Sequence, residues 1–190
     1  SENGGDWFNK GMSLWSLYTS GQLDWMGMYA GDFQPTTNTQ TIVAAGGGYF
    51  SSKLMRTTNM GANWSIVDND EMNYLFVQFH TTATQVVYAG DKRSDDAGET
   101  FTALAGRAAQ SAAMMGMVRA QPDTVYALAN PRNKILRSDA RGATWRVYTT
   151  TTWTFNRMDS TPTFAVHPTN PDVVYTLDST GDLARFDGAT

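Results

Sequence analysis

Ser94-Asp95-Asp96-Ala97-Gly98-Glu99-Thr100-Phe101 sets a hydroxyl residue, Asp, Gly, Thr and an aromatic at offsets 0, +2, +4, +6 and +7. This spacing predicts a tight hairpin turn. Gly98 can take the positive φ that a side chain resists. Ser94 and Asp96 can accept hydrogen bonds from turn amides that otherwise lack partners. Phe101 then opens the next strand and packs back over the turn.

Degraded copies of the same pattern run along the chain. They are Thr57-Thr58-Asn59-Met60-Gly61-Ala62-Asn63-Trp64 and Ser138-Asp139-Ala140-Arg141-Gly142-Ala143-Thr144-Trp145. A further copy opens the sequence at Ser1–Phe8, and another is read at Phe186-Asp187-Gly188-Ala189-Thr190. Their glycines, Gly5, Gly61, Gly98, Gly142 and Gly188, lie 56, 37, 44 and 46 residues apart. A second motif recurs between them. Phe79-His80 to Val87-Tyr88 aligns without a gap with Val166-His167 to Val174-Tyr175, and Gln121-Pro122-Asp123-Thr124-Val125-Tyr126 fits the same frame. Phe33–Asn38 followed by Thr41–Ala45 fits it with small shifts. Each unit reads as strand, Pro/Thr/Asn turn, strand, strand, hydroxyl–Gly turn and strand. Periods near 45 residues with four short strands are those of propeller blades. No helix-period stretch competes, and Gln110–Met117 is read as a strand rich in small residues.

Composition sets the outer bounds. The chain has 190 residues, 41% of them hydrophobic and 12% aromatic, which suits one globular domain with a proper core. A net charge of −4 without a Lys/Arg run argues against a nucleic-acid surface. No apolar run approaches the roughly 18 residues of a membrane span. Cysteine is absent, which removes disulfides, thiolate catalysis and cysteine-ligated zinc together. Neither a cofactor nor a metal is expected, since two histidines cannot build a His-based zinc site.

On the turn motif and its period, the chain resembles the Asp-box (BNR repeat) β-propellers, a group that includes sialidases, xyloglucan-active glycoside hydrolases, sortilin-type receptors and photosystem assembly factors. The resemblance covers nearly all of residues 1–190 except an insertion at 9–31, read as a loop plus the first strand of a blade. It implies an all-β fold of four-stranded blades, about four blade equivalents, in a single domain. The chain is read as a portion of a larger propeller, completed by further sequence or by other copies. Only the Ser94 turn is complete: Asn3 and Asn59 stand in for the Asp, while Ala140 and Phe186 replace it. Such an architecture hosts many unrelated activities.

Candidate residues are weighed with that in mind. Asp96 reads as a turn residue rather than a catalyst, and Ser94, Gly98, Phe101, Asn59, Gly61, Trp64, Ser138, Gly142 and Trp145 read as the structural set of the turns. His80 and His167 occupy equivalent repeat positions and read as structural. The acids outside the turns, Asp24, Asp32, Asp68-Asn69-Asp70-Glu71, Asp159, Asp178 and Asp182, are placed in loops. A glycosidase needs two carboxylates across a cleft, about 5 Å or about 6.5–9.5 Å apart. The 68–71 cluster lacks the Gly and the spacing of an EF-hand loop and reads as a solvated turn. A sialidase would need an arginine triad, whereas the arginines near the turns, Arg56, Arg93, Arg137 and Arg141 among them, read as strand-edge surface residues. Asn63-Trp64-Ser65 is a formal glycosylation sequon inside a turn.

The aromatics outside the turns are the better pointer to a ligand. Trp15, Tyr18, Trp25 and Tyr29 lie in the insertion, and Trp153 and Phe155 in the Thr-rich connection that follows Thr149. Aromatic faces stack on sugar rings and peptide groups, and loops carry the binding surface of such folds. The expectation is therefore a secreted or extracytoplasmic binding or scaffold propeller with a glycan or protein ligand. One alternative is a portion of a secreted polysaccharide-degrading glycoside hydrolase with acids among Asp24, Asp32, Asp68 and Asp70. The other is a structural subunit that packs into an assembly through unclosed blade edges.

Overall fold

The computed structural model describes residues 17–23, 28–36, 40–46, 52–72, 76–104, 113–129, 133–151, 164–177 and 180–188. Among these, strands fall into four antiparallel sheets, each a meander in chain order. The first holds β1 (Met28–Phe33), β2 (Ile42–Gly46), β3 (Ser52–Thr57) and β4 (Ser65–Met72). The second holds β5 (Val77–Phe79), β6 (Val87–Ala89), β7 (Lys92–Ser94) and β8 (Thr102–Ala103). The third holds β9 (Ala113–Val118), β10 (Gln121–Ala129), β11 (Lys134–Ser138) and β12 (Arg146–Thr150). The fourth has three strands, β13 (Phe164–Val166), β14 (Val173–Leu177) and β15 (Leu183–Asp187). The chain is thus all-β, built of propeller-type blades.

Contacts divide it into two units, residues 1–102 and 103–190. In the first unit, Val43, Ala45 and Leu54 of the first sheet pack on Val77, Phe79, Val87 and Ala89 of the second. In the other, Val118, Tyr126 and Ile135 of the third sheet pack on Val174 of the fourth, with Phe164, Val166 and Phe186 half-buried around them. The second strand of each blade lies between neighbours, so it is an unbroken β-branched and small apolar run. Ile42–Gly46 and Val87–Ala89 are buried almost throughout. Leu17 and Leu23, flanking a single helical turn at 17–19, cover Met55 beside Trp64 and Ile66.

The three described hydroxyl–Gly turns share one geometry. Gly61, Gly98 and Gly142 have φ of 82°, 84° and 82°, as expected for the glycine. The preceding residues Met60, Ala97 and Arg141 are also left-handed, at 56°, 59° and 53°. Two successive positive φ values are the mark of the type I′ hairpin turn. Each such non-glycine residue costs about 1–2 kcal/mol. Two bonds repeated in every copy offset this. The glycine amide donates to the leading hydroxyl, at 2.9 Å on Thr57, 2.8 Å on Ser94 and 2.9 Å on Ser138. The amide before it donates to the carbonyl two residues before the one that pairs with the leading hydroxyl residue, Gln40, Gln85 or Asp123.

The copy placed at Gly188 is displaced. The leading hydroxyl residues pair with the second strand as Ile42↔Thr57, Val87↔Ser94 and Val125↔Ser138. The same place in the fourth sheet is Val174↔Phe186. Phe186 therefore stands in the hydroxyl position, two residues later than the Gly-based alignment puts it, and Gly188 lacks the left-handed φ of the turn glycines. Strand pairing, which a residue match cannot see, sets that register.

Candidate functional site

The acids of interest sit on strands. Asp32 is in β1 and Asp68, Asn69, Asp70 and Glu71 are in β4, which corrects their placement in loops. Asp32 Oδ1 accepts the Phe33 amide and Oδ2 the Phe79 amide, both at 2.8 Å. It ties β1 to the first strand of the next sheet. The nearly buried Asp68 carboxylate pairs with Lys92 Nζ of β7. Asp182 accepts the Thr180 hydroxyl at 3.1 Å beside the β14–β15 turn. Among the described residues no group of three or more His, Asp or Glu could hold a metal ion.

Asp96 takes four hydrogen bonds within its own turn. Oδ1 accepts the Ser94 hydroxyl at 2.6 Å and the amides of Glu99 and Thr100 at 3.0 and 2.9 Å, and Oδ2 accepts the Thr100 hydroxyl at 2.6 Å. Burial pushes its pKa up, but the bonds from Ser94, Thr100 and Glu99 outweigh this and hold it at about 2. A base this weak and this occupied is a fastener. Asn59 does the same work with its amide oxygen, accepting the Thr57 hydroxyl at 2.9 Å and the Asn63 amide at 2.8 Å. At Ala140 no side-chain acceptor stands at the Asp position, and Ser138 Oγ accepts the amides of Ala140 and Gly142 at 3.1 and 2.9 Å, with Trp145 Nε1 donating to Gly142 O at 3.0 Å. Phe101 packs against the first unit's core, and Trp64 against Met55 with Leu17 and Leu23.

The two histidines repeat one another. His80 Nδ1 accepts the amides of Thr82 and Ala83 at 3.3 and 2.9 Å, and His167 Nδ1 those of Thr169 and Asn170 at 3.3 and 3.1 Å. Each backbone amide donates across the same turn, His80 to Val86 O and His167 to Val173 O. Acceptance of two amides places the ring hydrogen on Nε2.

Arginine is the residue that a reading of the sequence misjudges. Arg137 is 6% exposed, not a surface residue. Its Nε donates to Asp139 at 2.7 Å, and Nη1 reaches Asp172 and, at 3.1 Å, Pro171 O in the next sheet. Tyr126, fully buried, also donates to Pro171 O, lies edge-on to Tyr148 with centroids 5.3 Å apart, and has the Arg137 guanidinium 5.8 Å from its ring centre. Burial lifts the Tyr126 phenol to about 12 against the pull of Arg137. Burial also works against the charge of Arg137, yet Asp172 and Asp139 leave its pKa raised. Arg56 plays the same part in the first unit, donating from Nε to Ala97 O of the second sheet's turn at 2.9 Å. Arg56, Arg93 and Arg137 each immediately precede the leading hydroxyl of a turn, a position that by itself does not tell a buried arginine from a solvated one.

Of the aromatics proposed for binding, Tyr18 is 42% exposed beside the helical turn, and Tyr29 lies on β1. Trp15, Trp25, Trp153 and Phe155 lie outside the described residues, as do Asp24, Asp159, Asp178 and the Ser1–Phe8 turn. The side chains of Tyr29, Asp70 and Glu71 are likewise outside them.

Solved structures of similar fold are β-propellers. The GH74 xyloglucanase of Xanthomonas campestris superposes with a TM-score of 0.59 at 16% identity over 85% of this chain and 24% of its own. A GH74 enzyme of Niastella koreensis gives 0.57 at 14% identity over 84% of this chain and 30% of its own. YCF48 from Cyanidioschyzon merolae gives 0.53 at 10% identity over 90% and 53%. The likeness is one of fold. The chain spans 24% and 30% of these GH74 enzymes and about half of YCF48. No protein-family model and no curated protein matches it. No described helix is long and apolar enough to cross a membrane.

Proposed function

We propose that this chain is part of an Asp-box-type β-propeller that binds or scaffolds rather than cleaves. It works outside the cytoplasm and takes a glycan or a protein on aromatic side chains of its loops. The observation that carries this reading is the employment of the carboxylates: Asp32 holds a strand amide, Asp68 a lysine and Asp96 a turn. A general acid must be spare to exchange a proton with substrate. The shared turn geometry supports the Asp-box assignment. The exposed Tyr18 ring supports an aromatic binding surface, and with it Trp15, Trp25, Tyr29, Trp153 and Phe155 make up the proposed ligand-contacting set.

The test is binding of the 190-residue chain to a β-glucan and xylogluco-oligosaccharide array and to extended peptides, with reducing-sugar release measured in parallel. Binding without release, weakened several-fold by Tyr18→Ala, is expected. Release of reducing ends would overturn the reading. It would favour a second one, prompted by the GH74 fold likeness, in which the chain is a portion of a polysaccharide-degrading enzyme using Asp24 or Asp70. In that case Asp24→Asn or Asp70→Asn abolishes hydrolysis.

A further inference from the structure

The three described hydroxyl–Gly turns share a backbone but differ at the third position, which is Asn59, Asp96 or Ala140. On Asp96 four donors converge: the hydroxyls of Ser94 and Thr100 and the amides of Glu99 and Thr100. On Asn59 two donors from the same positions converge, the Thr57 hydroxyl and the Asn63 amide. In the third turn the counterparts are the Ser138 hydroxyl, the Ala143 amide and the amide and hydroxyl of Thr144. Ala140 offers them a methyl group. The Ala143 amide turns to the Ala140 carbonyl at 3.0 Å. The Thr144 amide and hydroxyl make no hydrogen bond among the described residues. Ser138 is buried and its oxygen accepts two amides, but its own proton has no acceptor among those residues.

Equal backbone geometry gives these donors the same aim as in the Asp96 turn. The leading hydroxyl accepts the amide two residues on at 3.2 Å on Thr57, 3.2 Å on Ser94 and 3.1 Å on Ser138. The left-handed pair of residues and the glycine amide bond agree as closely. Charge is what differs. Residues 94–102 carry Asp95, Asp96 and Glu99 and no base, whereas 138–146 carry Asp139 with Arg141 and Arg146. Arg141 is matched by Asp123, and Asp139 by Arg137 and the Thr124 hydroxyl. Arg146, two residues beyond Thr144, then has only a 3.5 Å contact with Asp139 among the described residues. Convergent amide and hydroxyl donors beside a weakly matched cation favour an anion, and in the sister turn the same donor set holds a carboxylate.

We propose that the Ala140 turn binds a small carboxylate anion, of the size of formate or acetate, through the amide and hydroxyl of Thr144. The anion does there what the side chain of Asp96 does in its own turn. It does not reach quite the same point. The carboxyl carbon of an Asp is one bond, about 1.5 Å, from Cβ, whereas an unbonded carbon stays about 3.5 Å from the Ala140 methyl. The anion therefore sits about 2 Å further out. Thr144 is exposed and remains within its reach, and the bond to the buried Ser138 hydroxyl is the one that lengthens. Formate has no methyl group to accommodate and binds more tightly than acetate. Two charge-assisted bonds at an exposed site correspond to a Kd in the millimolar range, on the order of 1–10 mM. The proposal is independent of which ligand the loops take.

The test is an amide NMR titration of the isotope-labelled chain with sodium formate at pH 7, ionic strength being held constant with sodium chloride. A saturable shift of the Thr144 amide is expected, while the amides of Thr100 and Asn63, already held by Asp96 and Asn59, stay in place. Ala140→Asp supplies the carboxylate from within the chain. It should abolish the formate shift and raise Tm by roughly 2–4 °C. Thr144→Val leaves Ala140 untouched and removes one donor, and should weaken formate binding several-fold. Formamide, neutral and of similar shape, should not move the Thr144 amide at concentrations where formate saturates. A Thr144 shift that rises without saturating, that chloride reproduces, or that persists in Ala140→Asp overturns the proposal. So does an equal shift at Thr100, and so does a Thr144 amide that formate leaves unmoved. Circular dichroism confirms that each variant is folded.

Discussion

At the residue scale the turn carboxylate ties acid stability to local geometry. Asp96 is held at about 2 in the folded chain against an ordinary 3.8, so the unfolded chain takes up its proton first as pH falls. Its contribution is fully present above pH 3.8, shrinks as pH drops towards 2 and is gone below that. Asp96→Asn should flatten this acid dependence while costing under about 1 kcal/mol at neutral pH, because Asn59 shows that an amide oxygen serves. Asp96→Ala should cost about 1–2 kcal/mol. Urea unfolding at pH 7 and pH 3 distinguishes the three chains. The glycine of the same turn has a separate role. A Cβ on Gly98 would lie 2.3 Å from Val43 Cγ2, on top of the cost of a φ of +84°, whereas one on Gly21, at +74°, would meet nothing within 4 Å. Gly98→Ala should therefore destabilise by roughly 3 kcal/mol or more and Gly21→Ala by about 1 kcal/mol, read from the same unfolding curves.

At the scale of elements, the blades are fastened by side chains that cross from a third strand to the next turn. Arg137 is the strongest case. Its removal would leave the Asp172 carboxylate short of its guanidinium, Asp139 with Arg146 at 3.5 Å in place of a 2.7 Å partner, and the Pro171 carbonyl with the Tyr126 hydroxyl alone. Arg137→Met should cost roughly 2–4 kcal/mol, with Arg137→Lys recovering only part, since one ammonium cannot serve acceptors on two sides as a planar fork does. Thermal unfolding of the three chains checks the order. The turn period and the four-strand repeat were legible from residue types. The crossing arginines were not. An Arg before a hydroxyl turn is as compatible with a solvated strand edge as with a buried one, until a neighbouring sheet supplies the carbonyls.

At the scale of the whole molecule, one repeat position gives two different outcomes in three sheets. Leu54→Ala and Ile135→Ala should each destabilise by about 2–5 kcal/mol, because both side chains are wholly buried between sheets. Leu183→Ala, at the same register but 71% exposed, should stay within about 0.5 kcal/mol. Denaturant midpoints measured for the three decide it. An equal loss at Leu183 would mean that its face is already covered within the chain.

The sequence by itself determined the fold class, the order of strands within a blade and the place of three of the turns. These depend on local chemistry: which residue tolerates a left-handed φ, which side chain can accept a turn amide, and which runs are apolar enough to be strands. Tertiary structure decided the rest. It moved Asp32 and Asp68 from loops onto strands and gave them partners 47 and 24 residues away in the chain. It also shifted the last turn copy by two residues. It buried Leu54 and Ile135 but left Leu183 in water, although all three sit at one repeat position. Burial and pairing belong to the neighbouring sheet, and a repeat read along one chain does not record which of its faces has a neighbour.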